Sequence, residues 1–347
     1  MIADKNDIVN KLILEDINPN TGKKYDWQGL KLKSLDVADT FRAIAHDHDD
    51  IYFVRRADKI AGCSNFLEFR RYFFTNERKL HKGYFCKDSL CPICMVRRSK
   101  KLYGQVAKVM DVAIKDYEFI FLTLTVKNCE PDKLSETIDL MFDSFYKMFK
   151  RKAVKTAFKG YFRALEVTHN TDITSPSYDT YHPHFHVILS VNKSYFKKKD
   201  YLSQKELMEI WKSCLGVDYD PVIDVRRFKT NSKKQMSKSL AEAAKYTVKD
   251  SDYLIEGDFE LTKASIYILA LALKRRRLIA FGGVLKDIHK KLNLDDPLDG
   301  DLVNTDNEQE ELENLEYIIE TFRWGVGLTG EFNYFLWDMT TPDFGTR

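Results

Sequence analysis

Two histidines near the middle of the chain have the spacing of a metal-binding pair. His184 and His186 alternate with apolar residues, namely Phe185, Val187 and Leu189. This alternation is typical of a half-buried β-strand, in which successive side chains point to opposite faces. Both imidazoles therefore share one face, and imidazole nitrogens are common ligands of divalent metal ions. We predict that His184 and His186 bind such an ion.

A carboxylate is the expected third ligand of this ion. Glu166 lies in a β-prone run, residues 162–168, just before the histidine strand, where an acidic residue is otherwise out of place. A carboxylate beside two imidazoles suits Mg²⁺ or Mn²⁺. The alternative for Glu166 is an exposed strand carboxylate without a metal. His182 and His169 are weaker candidates for the third ligand.

A third chemistry-bearing segment follows the histidines and carries a tyrosine. Residues four apart share one face of a helix, so Glu242 and Tyr246 are expected neighbours, as are Lys245 and Lys249. A tyrosine hydroxyl attacks phosphorus well only if a metal polarises the phosphate and positive charge shields its oxygens. Taken alone, the segment is an ordinary amphipathic helix. Its function depends on the motifs that accompany it.

The cysteines form a cluster with metal-ligand spacing. Cys86-x4-Cys91-x2-Cys94 supplies three thiols, and a tetrahedral zinc site needs a fourth ligand. Cys63 is favoured because four thiolates make a closed structural site, and His81 is the alternative. The N-terminus is charged and has no apolar signal segment, so we expect a cytoplasmic protein with reduced thiols.

The charge of the chain is unevenly distributed. The whole chain has a net charge of +3, but residues 291–347 hold 14 acidic and 3 basic residues, which leaves +14 for residues 1–290. A basic surface favours a phosphate backbone as partner, although any one cluster could be a solvated face. The residues from which we expect DNA contacts are Arg97, Arg98, Arg226, Arg227, Lys245 and Lys249.

Apolar periodicity indicates mixed secondary structure and no membrane partner. The most apolar run, residues 266–273, is much shorter than a bilayer span. Pro131 is expected to open a helix that carries a stripe of core residues. The other predicted elements are strands at 119–126, 161–168 and 185–190, and helices at 203–214, 237–249 and 262–276.

Together these motifs resemble those of the HUH endonuclease superfamily, and among them the single-tyrosine initiators of rolling-circle plasmid replication. Five blocks match in the expected order over about residues 60–290. They are the cysteine block with Arg97-Arg98, the strand Phe121–Thr125, the histidine motif His182–Leu189, the nucleophile motif Glu242–Tyr246, and Arg276-Arg277 ahead of Phe281-Gly282-Gly283.

The resemblance implies an α+β fold with an antiparallel-sheet HUH endonuclease core, flanking helices and a small zinc-binding module. The expected organisation is a polar N-terminal segment at 1–59, the zinc module at 60–105, the endonuclease core at 106–290, and an acidic linker with an aromatic C-terminal segment at 291–347. The zinc ion would be structural.

The resemblance also implies a mechanism. Tyr246 would nick one strand at a plasmid origin, leaving a 5′-phosphotyrosine and a 3′-OH primer, while Glu242 would activate the water that ends replication by hydrolysis. Tyr253 is a second tyrosine that we expect to be structural. The expected partners are origin DNA, double- and single-stranded, and a host helicase with the replication machinery; a homo-oligomer is left open.

Two other functions compete with this interpretation. One is a relaxase or single-strand transposase of the same superfamily, but relaxases usually place the tyrosine ahead of the histidines, and here Tyr246 follows them. The other is a non-enzymatic zinc-containing DNA-binding protein, which would have no need of the histidine pair and the tyrosine. The initiator function accounts for every motif.

Overall fold

The computed structural model describes residues 12–18, 22–197, 200–228, 240–242, 247–304, 315–327 and 330–342. They belong to two compact units, one formed by residues 1–97 and 301–347 and the other by residues 98–300. The helices of the described residues are α1 (Trp27–His48), α2 (Ile51–Ala61), α3 (Pro92–Ala113), α4 (Leu134–Lys150), α5 (Lys152–Ala157), α6 (Gln204–Leu215), α7 (Phe259–Ala272) and α8 (Val284–Lys291).

The strands form two antiparallel sheets, which confirms the predicted α+β class. In chain order they are β1 (Phe66–Tyr72), β2 (Arg78–Gly83), β3 (Tyr117–Thr125), β4 (Phe158–Asn170), β5 (Thr180–Asn192), β6 (Ile223–Arg227), β7 (Ile279–Gly283), β8 (Tyr317–Val326) and β9 (Phe332–Thr340). Their order is β2-β1-β8-β9 in the first unit and β6-β3-β5-β4-β7 in the second.

The first unit packs its sheet and helices around an aromatic core. Trp27 begins α1 and its ring lies near those of Phe69 and Tyr334, with centroids 6.2 and 6.5 Å away. Asp26 caps α1 by accepting a hydrogen bond from the backbone N–H of Gly29 at 2.8 Å. The segment expected to be merely polar, residues 1–59, therefore contains a 22-residue helix with a buried face.

The second unit places the histidine strand at the centre of its sheet. The predicted strands are confirmed, and β4 and β5 extend beyond the expected runs to 13 residues each. On one side of the sheet, Phe142 and Phe145 of α4 pack against Phe185, with ring centroids 5.3 and 5.5 Å apart. The helix expected from Pro131 begins as a 3-10 turn and continues as α4.

The register of β5 brings the predicted metal ligands to neighbouring positions. His184 lies directly opposite Glu166 on β4. His186 lies opposite Ala164, two residues along the strands and therefore on the same face of the sheet. On its other side, β5 pairs with β3, so that Thr123 faces His186. Residues paired across an antiparallel sheet project to the same side, which directs the two imidazoles and the carboxylate to one place.

The remaining helix predictions differ in outcome. Those at 203–214 and 262–276 correspond to α6 and to α7, which ends earlier, at Ala272. In the predicted helix 237–249, residues 240–242 are helical, residues 247–249 are not, and the others lie outside the described residues. Within the described ranges, every helix is too short or too polar to span a lipid bilayer.

Candidate active site

Glu166, His184 and His186 form a buried three-residue cluster. The carboxylate oxygen Oε2 of Glu166 lies 2.7 Å from His186 Nε2 and 3.3 Å from His184 Nε2. One donor atom from each residue lies within 4.8 Å of the other two. Glu166 is only 3% exposed, so the arrangement is shielded from bulk water. The structure thus brings together the three ligands expected from the sequence.

The hydrogen bonds around the cluster fit a metal ion. His184 Nδ1 lies 3.1 Å from the backbone oxygen of His182, which can only accept a hydrogen bond. Nδ1 of His184 therefore carries the proton, which leaves Nε2 as an acceptor in the neutral ring. A nitrogen lone pair and a carboxylate oxygen repel each other unless a proton or a metal ion lies between them. Two imidazoles and one carboxylate are a suitable donor set for a divalent ion.

Electrostatics keep Glu166 ionised. Burial alone would raise the pKa of Glu166, but the adjacent imidazoles of His184 and His186 outweigh burial and hold this pKa well below its ordinary value. Lys249 adds positive charge, with Nζ 3.8 Å from Oε1 of Glu166. The carboxylate is therefore available as an anionic ligand at neutral pH.

The two alternatives to Glu166 as third ligand, His182 and His169, have different surroundings. The ring of His182 stacks beside that of His184 at 5.3 Å, and burial together with His184 lowers the pKa of His182. His169 instead contacts Asp179 and the backbone oxygen of Asp252. Glu166 is thus the residue that the structure groups with the histidine pair.

The predicted nucleophile Tyr246 and its neighbour Lys245 lie outside the described residues, but their flanks do not. On one side, Glu242 Oε2 is 3.6 Å from a guanidinium nitrogen of Arg226. On the other side, the carbonyl of Thr247 accepts a hydrogen bond of 2.7 Å from the backbone N–H of Val167, the residue after Glu166. Tyr253 is 1% exposed, as expected for a structural residue.

The predicted DNA-contacting residues differ in exposure. The side chains of Arg226 and Arg227, on β6, are 59% and 56% exposed, and that of Lys249 is 47% exposed. Arg97 and Arg98 are buried. Arg97 donates to the carbonyls of Leu302 and Val303, and Arg98 to that of Leu298, so their nitrogens face backbone oxygens instead of open solvent.

Four thiols meet in the first unit, and Cys63 is the fourth member. Sγ of Cys94 lies 3.5 Å from that of Cys63 and 3.6 Å from that of Cys86, and all four sulfurs, with Cys91, lie within 4.8 Å of one another. All six cysteines are described and are free thiols. Zinc bound tetrahedrally to four thiolates separates the sulfurs by about 3.8 Å, so the cluster fits this ion.

Several groups that the sequence analysis did not identify support the cysteine cluster. Lys31 is 0% exposed, and its Nζ donates to the carbonyls of Ala61 and Cys63 and to the side chain of Asn65, at 2.7 to 2.8 Å. Arg56 makes a bidentate ion pair with Asp88, which lies in the loop between Cys86 and Cys91. The guanidinium nitrogens lie 2.7 and 2.9 Å from the two carboxylate oxygens. Both contacts hold chain segments that carry the thiols.

Comparison with known proteins gives a consistent result. A profile described as "Replication protein" matches residues 77–328. A protein named "Protein rep" from Bacillus amyloliquefaciens is 38% identical over 343 residues, which cover 93% of this chain and 97% of that protein. Proteins of the same name from Streptococcus pneumoniae (37% identical, 84% of this chain and 87% of that protein) and Lactiplantibacillus plantarum (34% identical, 94% and 99%) also match.

No solved structure matches the chain significantly. The family profile covers both the cysteine residues from Cys86 onward and the whole Glu166–His184–His186 cluster. The relatives from Bacillus amyloliquefaciens and Lactiplantibacillus plantarum align over nearly their full lengths. The chain therefore belongs to the replication protein family, in agreement with the resemblance of its motifs to those of plasmid replication initiators.

Proposed function

We propose that this protein initiates rolling-circle plasmid replication by nicking one strand of origin DNA, with Tyr246 as the nucleophile. The observation that carries the proposal is the contact between Thr247 and Val167. Tyr246 directly precedes Thr247 in the sequence, and Val167 directly follows the buried ligand Glu166. Tyr246 is thus the sequence neighbour of a residue that is hydrogen-bonded beside the proposed metal site.

The chemistry follows from these residues. Mg²⁺ or Mn²⁺ held by Glu166, His184 and His186 would polarise the scissile phosphate. The hydroxyl oxygen of Tyr246 forms a bond to phosphorus, and the bond from phosphorus to the 3′-oxygen breaks. The products are a 5′-phosphotyrosine and a free 3′-OH, the primer for synthesis. Lys249 and Lys245 supply positive charge for the phosphate oxygens, which favours attack.

Other residues serve DNA binding, termination and folding in this proposal. The exposed Arg226 and Arg227 contact the DNA backbone. Glu242 activates the water that later hydrolyses the phosphotyrosine. Zinc bound by Cys63, Cys86, Cys91 and Cys94 has a structural role. The partners are double- and single-stranded origin DNA and, in the cytoplasm, a host helicase with the replication machinery.

The decisive experiment is covalent trapping on a labelled single-stranded origin oligonucleotide. Wild-type protein with Mn²⁺ should form an adduct that mass spectrometry maps to Tyr246, and Tyr246→Phe should form none because only the attacking oxygen is lost. Tyr253→Phe is the matched control and should retain the adduct if it still folds. An adduct on Tyr253, or full cleavage by Tyr246→Phe, would show that the nucleophile is wrongly assigned.

A further inference from the structure

His169 is a buried histidine whose two ring nitrogens both face hydrogen-bond acceptors. Nε2 lies 2.9 Å from the carboxylate oxygen Oδ1 of Asp179, and Nδ1 lies 3.2 Å from the backbone oxygen of Asp252. Ser265 Oγ is also 3.2 Å from Nδ1, but this hydroxyl donates to the carbonyl of Leu261 at 2.7 Å. Carboxylate and carbonyl oxygens only accept hydrogen bonds, so the ring nitrogen is the only possible donor in each of these two contacts.

The surroundings of His169 are built to hold this ring in one orientation. The side chain is 0% exposed, and the ring stacks on that of Tyr181 with centroids 4.3 Å apart and planes 9° from parallel. Asp179 has a left-handed backbone, with φ of 54°, and its N–H donates to the carbonyl of Asn170 at 2.8 Å. A non-glycine residue adopts this conformation at a cost that the neighbouring structure must offset.

The acceptor Asp252 belongs to the segment that follows the proposed nucleophile. A 3-10 turn, Asp250–Asp252, comes directly after Lys249. The segment is hydrogen-bonded to β4 at two points, Thr247 to Val167 and Asp252 to His169. Between these points, Lys249 Nζ lies 3.8 Å from Glu166. A segment held at two points cannot pivot about either one.

We propose that His169 is a positioning residue for the nucleophile and not a metal ligand. It acts through the carbonyl of Asp252, which fixes the segment 247–252 against the ligand strand, and Thr247 at the start of that segment directly follows Tyr246 in the sequence. This inference rests on the proposed function, because positioning matters only if Tyr246 attacks the DNA. A misplacement of about 1 Å in a reacting group can lower a rate by about 100-fold.

His169→Phe is the sharpest test, since phenylalanine keeps the stacking on Tyr181 and removes both ring nitrogens. The measurements are the single-turnover cleavage rate, at saturating oligonucleotide and Mn²⁺, and the Kd of an uncleavable oligonucleotide. We expect the rate to fall about 10- to 100-fold while the Kd changes less than about twofold. His169→Gln, whose single amide nitrogen can donate to one of the two acceptors, should restore part of the rate.

Ile138→Ala is the matched control for a general loss of stability. Ile138 is fully buried in α4, and its truncation removes core packing without touching segment 247–252. Measured well below both melting temperatures, this variant should cleave at nearly the wild-type rate. Equal slowing in both variants, an undiminished rate in His169→Phe, or a loss confined to Kd would each overturn the positioning role. In all three outcomes wild-type cleavage stands, whereas a wild-type protein that forms no adduct refutes the proposed function itself.

Discussion

At the scale of single residues, the sequence predicted that His184 and His186 would lie together because strand alternation is a local property. His184 and His186 share a face whatever their neighbours are, and Glu166 was out of place in its strand. Their hydrogen-bonding environment was not predictable in the same way. The position of Glu166 directly opposite His184 depends on the register between β4 and β5. Register is set by pairing across the sheet and not by either segment alone.

Glu242 allows the first prediction, which separates nicking from termination. Its carboxylate lies 3.6 Å from Arg226 and outside the Glu166–His184–His186 group. Glu242→Ala should therefore leave the first cleavage within about threefold of wild type, while hydrolysis of the phosphotyrosine slows by about 100-fold or more, the usual contribution of a general base. The measurement is the amount of covalent protein–DNA complex over time during plasmid replication in vitro.

Glu242→Gln is the control for shape, because it keeps the size of the side chain and removes the charge. It should accumulate the covalent complex as Glu242→Ala does. If either variant loses the first cleavage as completely as Tyr246→Phe, the glutamate takes part in nucleophilic attack and the termination role is wrong.

At the scale of elements, the first helix shows why part of the fold was missed. The buried face of α1 includes Trp27, Phe41 and Ile44 at helical spacing, but Lys31 and Ser34 occupy two positions of the same stripe. A lysine normally marks a solvated face, so the pattern looked polar. Its burial is possible because all three of its N–H groups find acceptors around Cys63 and Asn65. Those acceptors come from a distant segment, which local periodicity cannot reveal.

Lys31 gives the second prediction, which concerns the link between α1 and the cysteine cluster. Burial lowers the pKa of Lys31, while the nearby cysteines Cys63, Cys91 and Cys86 oppose that shift. Lys31→Met should leave the buried carbonyl of Cys63 and the partly buried acceptors of Ala61 and Asn65 without this donor, and should remove positive charge beside the thiolates. We expect a loss of about 3–5 kcal/mol in the free energy of unfolding and faster release of zinc to a colorimetric chelator.

Lys33→Met is the matched control on the same helix, because Lys33 is exposed. It should change the free energy of unfolding by less than about 0.5 kcal/mol and leave zinc release unaltered. Zinc release at the wild-type rate from a folded Lys31→Met protein would contradict the proposed link.

At the scale of the whole molecule, the two clusters belong to different compact units. The cysteine cluster lies in the unit made of both chain ends, and the Glu166–His184–His186 cluster lies in the unit of residues 98–300. The expected boundaries put the two chain ends in separate segments. In the structure, β1 instead pairs with β8 across most of the chain, with Phe66 opposite Arg323. Contacts at that separation leave no periodic signal in either segment.

Metal removal provides the last prediction, which follows from this separation. Four thiolates should hold zinc far more tightly than two imidazoles and one carboxylate hold Mg²⁺ or Mn²⁺. Mild chelation should therefore remove Mg²⁺ or Mn²⁺ and leave zinc in place. Cleavage should then stop while the melting temperature changes by less than about 2 °C, and added Mn²⁺ should restore activity. His186→Ala should abolish cleavage in the same way without loss of zinc.

A thiol-directed reagent that expels zinc should instead lower the melting temperature of the first unit, because metal binding there contributes to folding. Calorimetry with elemental analysis distinguishes the two cases, and full cleavage after exhaustive chelation would contradict metal-assisted attack.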